Sequence, residues 1–450
     1  MTDPNAKPAL RRDLGLVQST ALAITDMIGI GPFITIPLFL ATMGGPQAML
    51  GWVVGALLAF CDGLVWAELG AAMPKAGGSY NYLREAFGPH TAGRWFSFLI
   101  VWQIMFSAPL SVASGSIGFA NYFHYLAPSL PGWSIRVFAS LVPLVLTLAL
   151  YRRIRTIGNL SVILLAGALV GCFWIVGAGL PHLSASRILD FPPDAFRIDW
   201  VFAVGLGHAT LIALYDYFGY YNVCYLAEEI RDPGRVIPRA IMFSIVAVAA
   251  LYLLMNVSIL SVVPWREAQH STFIVSTYIE KLHGVGAGNL MTLLMLWIAF
   301  SSVFSLLLGY SRIPYAAAVD GNFFRVFARL HPTGDFPHVS LLALGLVASV
   351  FSLGRLPDVI GSLVATRVLI QYLPQAIGFF VLRFRRPDLP RPFRMWLYPL
   401  PGIVIVLGWL YILGTSRPMS LLFALVVFAL GSITFFARAR LLREWPFAKR

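Results

Sequence analysis

The sequence predicts an all-α polytopic membrane protein of about twelve transmembrane helices, and three observations carry that reading. Hydrophobic residues make up 58% of the 450 positions. Charged residues make up only 12%, against roughly 25% in an ordinary soluble domain. Apolar runs of about 20 residues, enough for a helix to cross a bilayer, recur along the whole length. An aromatic content of 14% also excludes disorder, because so much apolar surface does not stay solvated. The net charge of +13 would suggest nucleic acid in a soluble chain. Here the basic residues sit in short loops, where membrane orientation accounts for them.

The elements follow in order. A polar, basic tail over 1–15 carries Lys7, Arg11 and Arg12. The apolar run after it is too long for a signal-peptide core and has no small-residue cleavage site, so it reads as a retained span. Hydropathy then places helices near 16–43, 46–72, 91–127, 133–151, 157–180, 199–229, 236–263, 286–319, 338–353, 357–382, 395–414 and 418–437. The loops and tail on the side where the chain begins hold about 25 of the 33 Lys and Arg, including Arg152, Arg153, Arg155 and the basic group over 383–394. The opposite loops hold about seven, such as Arg136, Arg187 and Lys281. Both termini are therefore expected in the cytoplasm, with a bacterial plasma membrane as the expected setting. Cys61, Cys172 and Cys224 fall inside apolar spans without paired or metal-ligand spacing and read as packing residues.

Two spans are not plain helices. The first contains Gly29-Ile30-Gly31-Pro32-Phe33, and the sixth Tyr215-Asp216-Tyr217-Phe218-Gly219-Tyr220-Tyr221. Unsatisfied backbone in lipid costs several kcal/mol per group, so such interruptions survive only when buried in protein or lining a cavity. Each opens a five-helix half, the pattern of an inverted repeat with a substrate site at the midplane.

These residues resemble the amino acid–polyamine–organocation (APC) transporters. Gly29–Phe33 resembles that family's glycine-rich break in its first helix. The stretch from Ala67-Glu68 through Pro74-Lys75-Ala76-Gly77-Gly78-Ser79-Tyr80 is similar to its loop after helix two. Ala227-Glu228-Glu229-Ile230-Arg231-Asp232-Pro233, with Ile237-Pro238-Arg239-Ala240, resembles the segment after helix six. Ser311-Arg312 with Asp320-Gly321, and Arg391-Pro392-Phe393-Arg394, resemble the end of helix eight and the loop before helix eleven. The resemblance spans about 15–415. It implies a first repeat over 16–180, an inverted second repeat over 199–383, two further helices over 395–437 and a cytoplasmic tail over 438–450, working by alternating access.

By the same resemblance, Ile28, Gly29, Ile30 and Gly31 would receive the α-carboxylate of an amino acid. Carbonyls there and along Tyr215–Gly219, with Asp216, would receive the amine, and Tyr215 would close over the substrate. Freed N–H groups at a half-helix start carry partial positive charge that suits a carboxylate. The chain departs from the family where Ile30 replaces a usual serine and Pro32 offers no N–H. Gly-Pro-Phe at this break is similar to the polyamine-transporting branch, which keeps a polyamine or other organic cation as the alternative substrate.

Acids inside a membrane default to function. Asp26 and Asp216 are expected to bind an ammonium or carry a coupling proton, or else to pair with Arg367 or hydrogen-bond from helix to helix. Arg367 either offsets one of them or grips a carboxylate with its own fork. His208 is a proton relay or an ordinary interior histidine. Asp62 reads as a packing-level contact. Glu68, Lys75, Glu228 and Glu229 are expected in inner-gate salt bridges or on a solvated face. Many relatives carry a lysine in helix five, where this chain aligns Leu165. Thr25, Ile28, Ile298, Ser301 and Ser302 outline a possible sodium site, although paired serines also bond across helices. A proton is preferred to sodium as coupling ion, and no cofactor or metal is expected.

No nucleophile–base set, metal cluster or nucleotide loop points to an enzyme. A channel would be expected to show charged rings or filter repeats. A sensor on this scaffold would usually bring a soluble domain. The partners implied are a small-molecule substrate and the lipid bilayer, not nucleic acid, and the oligomeric state is open.

Overall fold

The computed structural model describes residues 12–75, 77–151, 157–332 and 336–447, with the side chains of 157–165 outside that description. Lys7, Arg11, Ala76, Arg152, Arg153, Arg155 and the Leu165 side chain therefore lie outside the described residues. Helices carry the fold, and a single parallel bridge, Leu14 with Ile230, is the isolated β-type contact among the described residues.

The first span is two helices, α1 (Leu16–Met27) and α2 (Gly31–Met43), bent by 50° at the break. A 3-10 turn at Pro46 leads into α3 (Leu50–Ala72). Next comes α4 (Ser79–Phe87), a short surface helix that hydropathy does not reveal because it is too polar and too brief to span. Its buried Ser79, Tyr82, Leu83 and Ala86 recur at the three- and four-residue spacing of one helical face. Three long spans follow: α5 (Ala92–Leu126), α6 (Gly132–Leu150) and α7 (Ile157–Gly179).

After the short α8 (Ala185–Ile188), the sixth span is α9 (Trp200–Tyr217) plus a 3-10 helix over Tyr220–Glu229. The seventh is α10 (Pro233–Val262). Two connecting helices, α11 (Trp265–Ala268) and α12 (Ile274–His283), are again too short for hydropathy to register. The eighth span is α13 (Val285–Tyr310), continued by α14 (Arg312–Val319). The ninth is α15 (His338–Phe351). The tenth joins α16 (Leu356–Arg367) to α17 (Leu373–Arg385) through a π-helical segment at Val368–Tyr372. The chain closes on α18 (Leu400–Thr415) and α19 (Pro418–Leu442). Eight single spans, the bent pair and three shorter apolar helices make the twelve segments that hydropathy predicts.

One boundary moves. The eleventh helix starts at Leu400, not near 395. Met395 is kept out of it because its N–H donates to the Glu68 carboxylate at 2.7 Å. Pro399 and Pro401 then suit a helix start, where an N–H is not needed.

That contact belongs to a buried clamp. Glu68, only 1% exposed, accepts from Arg383 Nε at 2.8 Å and Nη2 at 2.5 Å, with Arg391 Nε at 3.3 Å. Glu68 makes its salt bridges with Arg383 and Arg391. It ties α3 to the end of α17 and to the loop ahead of α18. Lys75 and Glu228 are exposed. Glu68→Gln leaves two partly buried guanidinium groups without their anion and is expected to lower stability by about 3 kcal/mol. A thermal melt of the purified protein in detergent checks this, and a melt superimposable on wild type would show that the clamp carries no load.

Candidate functional site

The first break frees backbone groups that must be satisfied inside the bundle. Ile28, Gly29 and Ile30 leave the helix, and Pro32 in the first turn of α2 has no N–H to strand. The Ile30 N–H donates to Ser302 Oγ of α13 at 3.1 Å, and the Gly29 N–H to Met27 O at 3.1 Å. The Tyr252 hydroxyl of α10 donates to Met27 O at 2.8 Å, and that of Tyr122 of α5 to Phe33 O at 2.8 Å.

The second break lies directly against the first. After α9 the chain is extended at Phe218, and Gly219 adopts φ +132°, a region that other residues rarely enter. A Cβ on Gly219 would stand 2.7 Å from the Asp26 carbonyl carbon and 2.9 Å from Met27 N. A Cβ on Gly31 would strike Asp216 Oδ1 and the Tyr215 ring, and one on Gly29 would come 2.9 Å from Ser302 Oγ. The two interruptions therefore meet backbone to backbone through glycines. Tyr252 bridges them, since its hydroxyl also lies 3.5 Å from Asp216 O.

The polar side chains sort clearly around this crossing. Asp216 is 2% exposed, and its Oδ2 accepts from Thr35 of α2 at 2.6 Å. Its Oδ1 has no hydrogen-bond partner among the described residues. Tyr215 shares a 2.7 Å hydroxyl contact with Ser114 of α5. Asp26 faces outward from α1, where it is exposed and accepts from Asn222 Nδ2 at 3.1 Å. Asp62 makes a polar contact between spans: Tyr220, first residue of the 3-10 half, donates to its Oδ2 at 2.7 Å.

Pairing of Arg367 with an aspartate does not occur. Thr35 and Asn222 occupy Asp216 and Asp26, while the guanidinium donates to Tyr310 Oη at 2.8 Å, Tyr221 Oη at 3.2 Å and Ser111 Oγ at 3.5 Å. His208 stands two turns of α9 before Asp216, about 12 Å along the axis, beside the Thr415 backbone. It is half-buried and is not brought to the break. Of the sodium-site set, Ser302 reaches the break and Ile28 and Ile298 are buried. The Thr25 hydroxyl turns back to Ala21 O of its own helix at 2.7 Å, and Ser301 is half-buried.

Exposure differs between the two sides of the crossing. Residues Gly31–Pro37 of α2 are all buried. Toward the side where α1 starts, Gln18, Leu22 and Asp26 are exposed along one face of α1, and Ser305 and Gly309 are exposed on α13 beyond Ser302. At the foot of this side, backbone bonds from Leu14 N to Glu229 O (3.0 Å) and from Arg231 N to Leu14 O (2.9 Å) join the ends of the two broken spans.

Sequence reasoning missed Thr35, Ser111, Ser114, Asn222, Tyr252 and Tyr310. None stands in a motif. Only their partners, far along the chain, give them a role.

Two interrupted helices meeting inside a bundle of apolar spans, with half-helix ends and buried polar groups at the crossing, form the architecture of a secondary transporter. The amino acid permease family model matches residues 14–440, and the chain belongs to that family. It is 29% identical over 442 residues to Asc-type amino acid transporter 1 of Mus musculus, covering 95% of this chain and 81% of that protein. It is 29% identical over 423 residues to large neutral amino acids transporter small subunit 2 of Homo sapiens, covering 91% and 76%. It is 26% identical over 441 residues to b(0,+)-type amino acid transporter 1 of Mus musculus, covering 95% and 88%.

Gly219→Ala is expected to force the two breaks apart, because the new Cβ collides with backbone that cannot yield and the φ value is itself strained. Substrate-induced thermal stabilisation is expected to disappear in this variant. Retention of the full shift would mean that the crossing tolerates separation.

Proposed function

We propose that the protein carries amino acids across the membrane by alternating access, as a transporter and not an enzyme. The observation that carries this reading is the meeting of the two broken helices. It sets the N-terminal end of α2 beside the C-terminal ends of α1 and α9. A zwitterion fits that arrangement: the α-carboxylate at Gly29–Gly31, the ammonium toward the carbonyls of Met27 and Asp216 and the open Asp216 Oδ1. Tyr215, held by Ser114, stands at the position to cover it.

Three relatives bearing amino acid transporter names support the amino acid over the polyamine. The buried Arg367, a fixed cation near the crossing, also disfavours a polycation. A proton is the better candidate for coupling than sodium, because Asp216 offers a buried carboxyl with an oxygen free. The asymmetry of Lys and Arg supports an orientation with both termini in the cytoplasm. The comparisons reported above are with mammalian proteins and lend no weight to a bacterial setting.

Purified protein in liposomes loaded with unlabelled amino acid is expected to accumulate labelled amino acid in a saturable counterflow; currents that rise in proportion to voltage, without counterflow, would indicate a channel. Asp216→Asn is expected to weaken substrate binding and to abolish the pH dependence, between about pH 5 and 8, of the uptake that remains. Uptake in Asp216→Asn that follows the wild-type pH profile would remove Asp216 as the proton carrier, and dependence on external sodium would remove the proton.

A further inference from the structure

We propose that Arg367 is a specificity residue that receives a second carboxylate on the substrate, so that the protein transports aminodicarboxylates of the aspartate or glutamate type. The inference rests on the amino acid reading above and narrows its substrate class.

Three observations point there. The first is electrostatic. Arg367 is 6% exposed, yet its hydrogen-bond partners are three neutral hydroxyls, and no carboxylate lies within ion-pair distance of it among the described residues. A buried charge is expensive to leave unpaired, and inside a membrane it marks a ligand path or a missing partner. Of the two acids at the breaks, Asp216 Oδ2 accepts from Thr35 and Asp26 Oδ2 from Asn222, and neither bonds Arg367.

The second is local geometry. Arg367 closes α16 immediately before the π-helical segment Val368–Tyr372. Such bulges shift the register of side chains and recur at functional sites. The guanidinium also stands 5.8 Å from the centre of the Phe218 ring, the extended residue of the second break.

The third is placement. Ser111 and Ser114 are neighbours one turn apart on α5; Ser111 meets Arg367, and Ser114 meets Tyr215, which packs on Gly31. Along α5 the Arg367 contact is therefore about one helical turn, ~5 Å, from the Tyr215 contact that borders the first break. A substrate whose α-carboxylate occupies the break and whose side chain ends in a second carboxylate bridges that interval. The planar fork can then exchange hydroxyl partners for two parallel bonds to the carboxylate. Those hydroxyls come from α5, α13 and the 3-10 half of the sixth span, so the anion would draw three elements together.

The test is counterflow in proteoliposomes containing the full chain, with L-aspartate, L-glutamate, L-alanine and L-leucine as labelled substrates. Wild type is expected to exchange aspartate or glutamate saturably. Arg367→Leu is expected to lower the ratio of acidic to neutral uptake by about tenfold or more, and Arg367→Lys, a point charge without the fork, to lower it less. Wild-type exchange of alanine or leucine with neither acidic substrate entering or competing would overturn the inference and leave amino acid transport standing. Exchange of none of the four would overturn both. An unchanged ratio in Arg367→Leu would overturn it too, and the wild-type arm decides alone where that variant does not fold.

Discussion

A helix interrupted inside a bilayer strands backbone groups where no water can reach them, and the rest of this structure is arranged around satisfying them. The solution is a crossing of two breaks. Gly219 lets the second lie on the carbonyl end of α1, and Gly31 lets Asp216 approach the start of α2. Ser302 and Tyr252 then supply the acceptor and donor that Ile30 and Met27 need. Since each unsatisfied group would cost several kcal/mol in lipid, these contacts outweigh any single exposed ion pair. The Arg266–Asp190 pair, with both side chains exposed, belongs to a class worth at most about 1 kcal/mol.

The same contacts divide the bundle into parts of different firmness. Glu68 with Arg383 and Arg391 is buried and multiply bonded, so α3 and α17 are held as one body on the side where the chain begins. Asp62 extends that body to Tyr220 at the head of the 3-10 half. By contrast α1 carries an exposed face ending at Asp26, and below Ser302 the facing stretch of α13 is exposed as well. The bonds between Leu14 and the 229–231 segment couple the ends of both broken spans, so movement of one half-helix carries the other with it.

Much of this was legible in the sequence. The segments follow from hydropathy because a bilayer requires an apolar run of roughly 20 residues for each crossing. The breaks were legible because Gly29, Gly31, Pro32 and Gly219 are out of place in continuous apolar helices. The helices α4 and α12 were not, since they lie along the bundle instead of crossing it. Nor were the partners of the buried charges: Ile30 and Ser302 are 272 positions apart, Asp216 and Thr35 are 181, and Arg367 and Tyr221 are 146. Composition shows that Arg367 needs company but not that hydroxyls provide it. The partners of Glu68 were hidden for the same reason, because its motif names the residue and only the fold brings Arg383 and Met395 to it.

The central claim is that the crossing of the two breaks opens to one side of the membrane at a time and closes around its substrate. Labelling of Ser305→Cys by a membrane-impermeant thiol reagent in proteoliposomes tests it most directly, because Cys61, Cys172 and Cys224 are all buried. The account predicts reaction only from the side on which the chain begins, slowing when a transported amino acid is added. Equal reaction from both sides, or a rate that the amino acid does not change, would contradict it.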